Sequence, residues 1–244
     1  MSATRAVRLE EPRHHAFLRE LALAAIAALT YFGIRNLTVG AAPEALANAR
    51  RLTELERDLG LAWEASLQDA IVGSETLMTL SNWVYIWAHW PVIITAAVVL
   101  YRLRPERYLL LRNTMFLSGA IGFLFFALLP VAPPRLVDPA LVDTVTLHSD
   151  SYRALQPPGL TNQYAAFPSL HFGWNLLVGV AVWGATRNPV LRLLAVLGPA
   201  AMAAAVVLTA NHYVLDLVGG MAVVLVALAI VRRRWSSSVA SLPG

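Results

Sequence analysis

Long runs of apolar residues alternate with short arginine-rich segments along most of this 244-residue chain. A helix needs about 20 consecutive apolar residues to cross a membrane, because lipid offers its backbone polar groups no partners. Charged residues make up only 14% of the chain, against about 25% in soluble domains. The sequence therefore predicts an all-α, polytopic membrane protein in which residues 1–244 form a single domain. Six segments are predicted to span the membrane: about 17–38, 79–101, 113–133, 168–186, 189–210 and 212–231.

The basic residues predict which side of the membrane each connection faces. All 19 are arginine, and most precede the first segment, separate the second from the third, flank the turn after the fourth, or follow the sixth. Positive residues mark cytoplasmic connections, which explains the net charge of +4 without nucleic-acid binding. We therefore expect a multi-pass protein of the cell membrane. Connections 39–78 and 134–167, with the starts of the fourth and sixth segments, should face the non-cytoplasmic side.

These two connections differ in pattern. Leucine and alanine at helical spacing alternate with charged residues over 43–60, which predicts an amphipathic helix in the membrane interface or packed over the spans. The 134–167 connection is rich in proline and predicts a loop, long enough to cover a reactive centre. Cysteine is absent, so disulfides, thiolate nucleophiles and cysteine-based metal sites are excluded.

Two histidines stand where predicted spans begin. His212 and Asp216 are four residues apart and share a helix face, so the carboxylate can bind one ring nitrogen and leave the other free to attack. His171 opens the fourth segment at the same side of the membrane. Such residues are costly in lipid unless they are paired or line a cavity, which makes them functional candidates. Hydrogen bonding across helices is the structural alternative.

Phosphate is the group that the neighbouring residues suit. Arg135 offers a permanent forked cation, and Ser169 offers a hydroxyl and a backbone amide near a helix start. His212 can then attack phosphorus while His171 protonates the leaving oxygen. The resulting phosphohistidine would be resolved by water or an alcohol, and this chemistry requires neither a metal nor a cofactor. Arg135 as an interfacial anchor is the simpler alternative.

Two motifs resemble those of a known family. PSLH at 168–171 and HYVLD at 212–216 are similar to the second and third signature motifs of the type 2 phosphatidic acid phosphatase superfamily. AFPSLH at 166–171 with NHYVLD at 211–216 most resembles the branch that contains the inositol phosphorylceramide synthases. The resemblance centres on residues 113–231. It implies a six-helix fold, a phosphohistidine on His212 and an acid–base role for His171.

The chain departs from the family pattern at two positions. The first family motif is a lysine followed seven positions later by Arg-Pro, but this chain has no lysine and places Pro-Pro-Arg at 133–135. The third motif often carries an arginine six residues before its histidine, where this chain has Val206. Other donors must then complete the phosphate site, and the candidates are Asn162, Gln163, Arg35 and Arg153.

A further polar cluster is predicted in the second span. Asn82, Tyr85 and His89 follow one another at steps of three and four, which places them on one helix face. This face suits a polar head group or an acceptor alcohol, and interhelical hydrogen bonding is the structural alternative.

Several functions stay open at this stage. The favoured one transfers a phospho head group from a phospholipid or other lipid phosphate to a polyol or lipid alcohol. A lipid phosphate phosphatase would use water instead. A haem protein with His171 and His212 as axial ligands, and a transporter, are alternatives of other classes.

Overall fold

The computed structural model describes residues 13–38, 40–148 and 162–240, and this part of the chain is all-α. A single turn of 3-10 helix lies at Pro134–Leu136. The α-helices are α1 (Arg13–Thr38), α2 (Ala42–Leu59), α3 (Glu64–Val72), α4 (Glu75–Trp87), α5 (Trp90–Leu103), α6 (Pro105–Leu128), α7 (Thr144–His148), α8 (Leu170–Ala185), α9 (Pro189–Leu208) and α10 (Val214–Ala240).

Several of these helices are of the membrane-spanning type. Within the described residues, α6, α9 and the Val214–Arg234 part of α10 are long and apolar enough to cross a membrane. The pair α4 and α5 forms a fourth candidate if it is one span bent by 43°. Helix α8 is apolar but has only 16 residues. The all-α class and the association with a membrane are thus supported, whereas the predicted number of six spans is not confirmed.

The predicted second span, 79–101, is broken in the middle. Helix α4 ends at Trp87 and α5 begins at Trp90, with Pro91 in the first turn of α5. A proline inside a continuous helix would remove one hydrogen bond and clash with the preceding turn, so the chain bends there. The prediction that His89 continues the helix face of Asn82 and Tyr85 is therefore wrong, because His89 lies in the break.

The connections also differ from their predicted form. The amphipathic helix predicted over 43–60 is confirmed as α2, which ends at Gly60 in the left-handed region at φ 69°. The unpredicted helix α3 follows it. The predicted loop 134–167 contains the short helix α7, and its central residues lie outside the described part. Helix α6 begins at Pro105, eight residues before the predicted start of the third span, and stops at Leu128, just before Pro130.

Close packing brings the starts of α8 and α10 together. A Cβ atom on Gly220 would lie 2.2 Å from the carbonyl oxygen of Ser169, and one on Gly173 would lie 2.8 Å from the carbonyl oxygen of Gly220. Only glycine fits at such distances, as in other tightly packed membrane helices. The contact sets the first turn of α8, which carries His171, beside the first turn of α10, which follows His212.

Candidate active site

His212 is held in one tautomer by two oxygen acceptors. Its Nδ1 atom lies 2.8 Å from the carbonyl oxygen of Ala166 and 3.1 Å from Oδ2 of Asp216. Both oxygens accept, so Nδ1 must carry the hydrogen and donate it. In the neutral ring the lone pair is then on Nε2. Both side chains are buried, with His212 4% and Asp216 0% exposed.

The turn before His212 fixes its backbone as well. Helix α9 ends at Leu208, and Ala210 adopts a left-handed conformation with φ 52°. The N–H groups of Asn211 and His212 both donate to the carbonyl oxygen of Val206, at 3.1 and 3.0 Å. Val206 occupies the position where the family often has arginine. Here it contributes its backbone rather than a cation.

Three carboxylates cap the first turn of α10. The N–H of Tyr213 donates to Oδ2 of Asp216 at 2.9 Å. The N–H of Val214 donates to Glu64 at 3.0 Å, and that of Leu215 donates to Glu56 at 2.7 Å. Neither glutamate was predicted as a site residue, because Glu56 is one of several charged residues in the amphipathic 43–60 pattern and Glu64 belongs to the unpredicted helix α3. One signal was present, since Glu56 shares the face of Ala45, Ala49 and Leu52, and those two alanines are fully buried.

His171 is held by aromatic contacts instead. Its ring stacks on Tyr85 with centroids 4.9 Å apart and on His89 with centroids 4.2 Å apart. The His171 and His212 rings lie 5.9 Å apart. The Asn175 amide donates to Nδ1 of His89 at 3.1 Å and to the carbonyl oxygen of His171 at 2.9 Å. Asn175 was not predicted as a site residue, although it lies one helical turn after His171.

Arg135 lies against the residue that precedes His212. Its Nη1 donates to Oδ1 of Asn211, and its Nε donates to Asp143 at 3.1 Å. The positive charge of Arg135 acts on the His212 ring. A guanidinium has five N–H donors, so donors remain for phosphate oxygens. Asn211 and Asp143, which aim this group, were missed as site residues.

Ser169 is fully buried at the start of α8. Its hydroxyl oxygen accepts from the N–H of Phe172 at 3.4 Å and caps the helix. Its backbone N–H donates to the carbonyl oxygen of Asp216 at 2.9 Å. The expectation that this amide binds phosphate is therefore wrong, because it connects α8 to α10. The hydroxyl hydrogen is the donor that a ligand can still use.

The polar residues of α4 lie at different places in the site. Tyr85 reaches His171, whereas Asn82 is 1% exposed and bonded to Thr144. The Asn82 amide donates to the Thr144 carbonyl oxygen and accepts from its hydroxyl, both at 2.9 Å. These bonds hold α7 against α4. Head-group binding by Tyr85, His89 and Asn82 stays a prediction.

The remaining predicted phosphate ligands are less central. The backbone N–H of Asn162 donates to the Tyr31 hydroxyl at 3.0 Å, and its Oδ1 accepts from Tyr164. Gln163 is exposed. Arg35 in α1 donates to Asn36 at 3.0 Å, and Arg153 lies outside the described residues. Phosphate binding by these four residues stays a prediction.

A comparison with family profiles decides the superfamily. The profile of the PAP2 superfamily matches residues 50–230, a stretch that contains the two histidines, Asp216 and Arg135. This chain belongs to the PAP2 superfamily. A search of curated proteins and a search of solved structures each gave no match.

PAP2 superfamily members are phosphatases and phosphotransferases, so membership indicates this type of activity on lipid phosphates. The matched residues run from the middle of α2 into α10. They include both histidines together with Tyr85, His89 and Asp216, which contact them.

Proposed function

We propose that this PAP2 protein is a membrane lipid phosphotransferase that works through a phosphohistidine on His212. The observation that carries the proposal is the pair of acceptors around Nδ1 of His212, which leaves Nε2 as a nucleophile beside Arg135. The ring of His171, whose centroid lies 5.9 Å from that of His212, would supply the acid and base that transfer requires.

The reaction has two balanced steps. First, Nε2 of His212 attacks the phosphorus of a lipid phosphate ester, the phosphorus–oxygen ester bond breaks, and His171 gives its proton to the departing oxygen. Then the acceptor loses its proton to His171 and attacks the phosphohistidine, which releases His212. Arg135 would bind the phosphoryl oxygens whose negative charge grows during both steps.

An alcohol is the acceptor that we favour, as in the inositol phosphorylceramide synthase branch that the motifs resemble. Tyr85 and His89 lie directly against His171, where an acceptor must give up its proton. Their rings and polar atoms would suit a polyol or lipid alcohol. Water as the acceptor would make the same site a phosphatase. The arginine distribution supports a site on the non-cytoplasmic side of the cell membrane.

Product analysis would test this proposal. The purified protein in phospholipid nanodiscs would be incubated with phospholipids labelled at the head-group phosphate, with and without inositol, glycerol or a lipid alcohol. Transfer of label to an added alcohol supports the proposal, and release of labelled phosphate alone would indicate a phosphatase. No product beyond that of His212→Ala, from any lipid phosphate, would contradict both.

A further inference from the structure

The cluster of carboxylates at the start of α10 is larger than a helix cap needs. One side-chain acceptor usually serves the first N–H groups of a helix. Here Glu56 comes from α2, Glu64 from α3 and Asp216 from α10 itself, and each accepts from a different backbone N–H. Glu56 and Glu64 therefore attach two other helices to the turn that follows His212.

The cluster is buried and has no arginine partner among the described residues. Glu56 and Asp216 are 0% exposed and Glu64 is 7% exposed. Within the described residues, no arginine lies within salt-bridge distance of either glutamate. Burial and neighbouring like charges both favour a bound proton on a carboxyl group in such a cluster.

Two buried oxygen atoms of the cluster have no hydrogen-bond donor among the described residues. Oε1 of Glu56 accepts from Leu215, and the two atoms without a donor are Oε2 of Glu56 and Oδ1 of Asp216. The Glu64 carboxylate lies within hydrogen-bonding reach of Glu56. Two carboxyl groups form a hydrogen bond only if one of them is protonated. Burial first, and then the charge of Glu64, raises the pKa of Glu56 to about 8, against an opposing hydrogen bond from Leu215.

We propose that Glu56 and Glu64 are positioning residues for His212: both hold the first turn of α10 through its backbone N–H groups, and Glu56 does so while it carries a proton. The inference rests on the proposed function, since it assigns the pair the task of holding the turn that orients the nucleophile. It requires no contact between either glutamate and the substrate.

Loss of the proton on Glu56 should disturb the nucleophile. The ionisable groups that face Glu56 are Glu64 on α3 and both Asp216 and Tyr213 at the start of α10, and none of them is a cation. Ionised Glu56 would be repelled by the neighbouring acidic groups and would loosen the first turn of α10. His212 would then lose its orientation, so kcat should fall above about pH 8.

Two variants of Glu56 separate its proton from its hydrogen bonds. Glu56→Gln copies the protonated form, since its carbonyl accepts from Leu215 and its amide donates to Glu64. We expect the kcat of Glu56→Gln at pH 7 to be close to that of the wild type. Its kcat should not show the fall at alkaline pH that ionisation of Glu56 causes in the wild type. Glu56→Ala removes the cap and should lower kcat about a hundredfold with little change in KM, because a small displacement of a nucleophile has effects of this size. Exposed Glu54 supplies the control, and Glu54→Gln should match the wild type.

Thermal unfolding supplies a readout that does not depend on activity. Folded Glu56 keeps its proton up to about pH 8, whereas the unfolded residue loses its proton near its ordinary value of 4.5. The unfolded state then binds fewer protons, so the contribution of this group to stability declines from about pH 4.5 to about pH 8 and is level above. The melting temperature of the wild type and of Glu54→Gln should fall over this pH range. The melting temperature of Glu56→Gln should fall less.

The outcomes distinguish the two proposals. An active wild type whose pH profiles of kcat and melting temperature are unchanged in Glu56→Gln would overturn the proton on Glu56 alone. If Glu56→Ala does not fold, Glu56→Gln still decides the matter through both profiles. A wild type without activity on any lipid phosphate would overturn the proposed function and with it the positioning role. The melting profiles would then still show whether Glu56 carries a proton.

Discussion

The starts of α10 and α8 hold their histidines in different ways. At α10, hydrogen bonds fix the His212 ring through Ala166 and Asp216, and the following turn is capped by two glutamates from other helices. At α8, the His171 ring is stacked between Tyr85 and His89, and within the described residues no hydrogen bond holds either of its ring nitrogens. One ring is fixed in orientation and tautomer, whereas the other is fixed mainly in position.

This difference matches the two roles that we assign. A nucleophile must present one lone pair in one direction throughout the reaction, and a fixed tautomer achieves that. A group that gives a proton and later takes one back needs both of its protonation states. Stacking holds the plane of the His171 ring without binding its nitrogens. Substitutions around His212 should therefore lower the activity more than substitutions around His171.

The largest effect should come from the histidines themselves. His212→Ala should abolish turnover of every donor, a loss of several powers of ten, because it removes the proposed nucleophile. His171→Ala should lose most activity on natural lipids but keep reactivity toward an activated aryl phosphate ester, whose leaving group needs no proton. Initial rates with both donors would measure this. Equal losses on the aryl ester would contradict the separate roles.

Asp216→Asn should have the next largest effect. The amide can donate to Nδ1 and so favour the wrong His212 tautomer, and loss of the charge removes stabilisation of the developing cation. We expect kcat to fall by about 10⁴-fold, the size seen when a comparable orienting carboxylate is changed to its amide. Single-turnover rates would show the loss in adduct formation. A kcat within tenfold of the wild type would show that the Ala166 carbonyl alone sets the tautomer.

Arg135→Lys tests how the phosphate is held on the His212 side. Lysine keeps the charge but cannot donate to Asn211 and Asp143 and still present a fork to the phosphate. A loss of about 10²-fold in kcat/KM is expected, the lower end of what removal of one aimed donor costs. Exposed Arg50 offers a matched control, and Arg50→Lys should not change the rate. Equal rates for both variants would remove Arg135 from the phosphate site.

The smallest effect is expected from the stack on His171. Tyr85→Leu removes an aromatic contact of the kind that contributes about 0.5–1.5 kcal/mol, so a decrease in kcat of roughly twofold to tenfold should follow. Tyr85→Phe keeps the ring and should keep kcat near that of the wild type, whereas the KM for an alcohol acceptor should rise because the hydroxyl is lost. A loss in Tyr85→Phe as large as in Tyr85→Leu would show that the hydroxyl, rather than the stack, is what matters. The His171 side would then also depend on hydrogen bonding.

Residues close together in the sequence were predictable. The hydrogen bond between His212 and Asp216 was predicted and is present. The predicted helix face that they share is wrong, because α10 begins at Val214 and His212 lies in the turn before it. Helix α2 follows from its amphipathic pattern, with bounds within a residue of those predicted. Both the bond and the helix depend on residues close together in the chain. The membrane type of the fold follows from apolar length, which again is a local property.

Contacts between distant segments were not predictable in the same way. Glu56 accepts from Leu215, 159 residues away, and Glu64 accepts from Val214, 150 residues away. Asn211 was known as part of a motif, but its bond to Arg135 depends on how two turns pack. Pro91 indicates a break near His89, but the apolar residues continue on both sides of it, so the sequence predicted one span. Sequence periodicity describes one helix at a time, whereas the site is assembled from several helices and the turns between them.

The central claim is that phosphorus is bound covalently to His212 and not to His171. The most direct measurement is mass mapping of the phosphorylated peptide after the wild type is mixed with an activated aryl phosphate ester and quenched in alkaline denaturant. Phosphoramidates survive in base, and the two histidines lie 41 residues apart on α8 and before α10. The account predicts an adduct on His212 in the wild type and in His171→Ala, and none in His212→Ala. An adduct on His171 in the wild type would reverse the assigned roles and contradict the account.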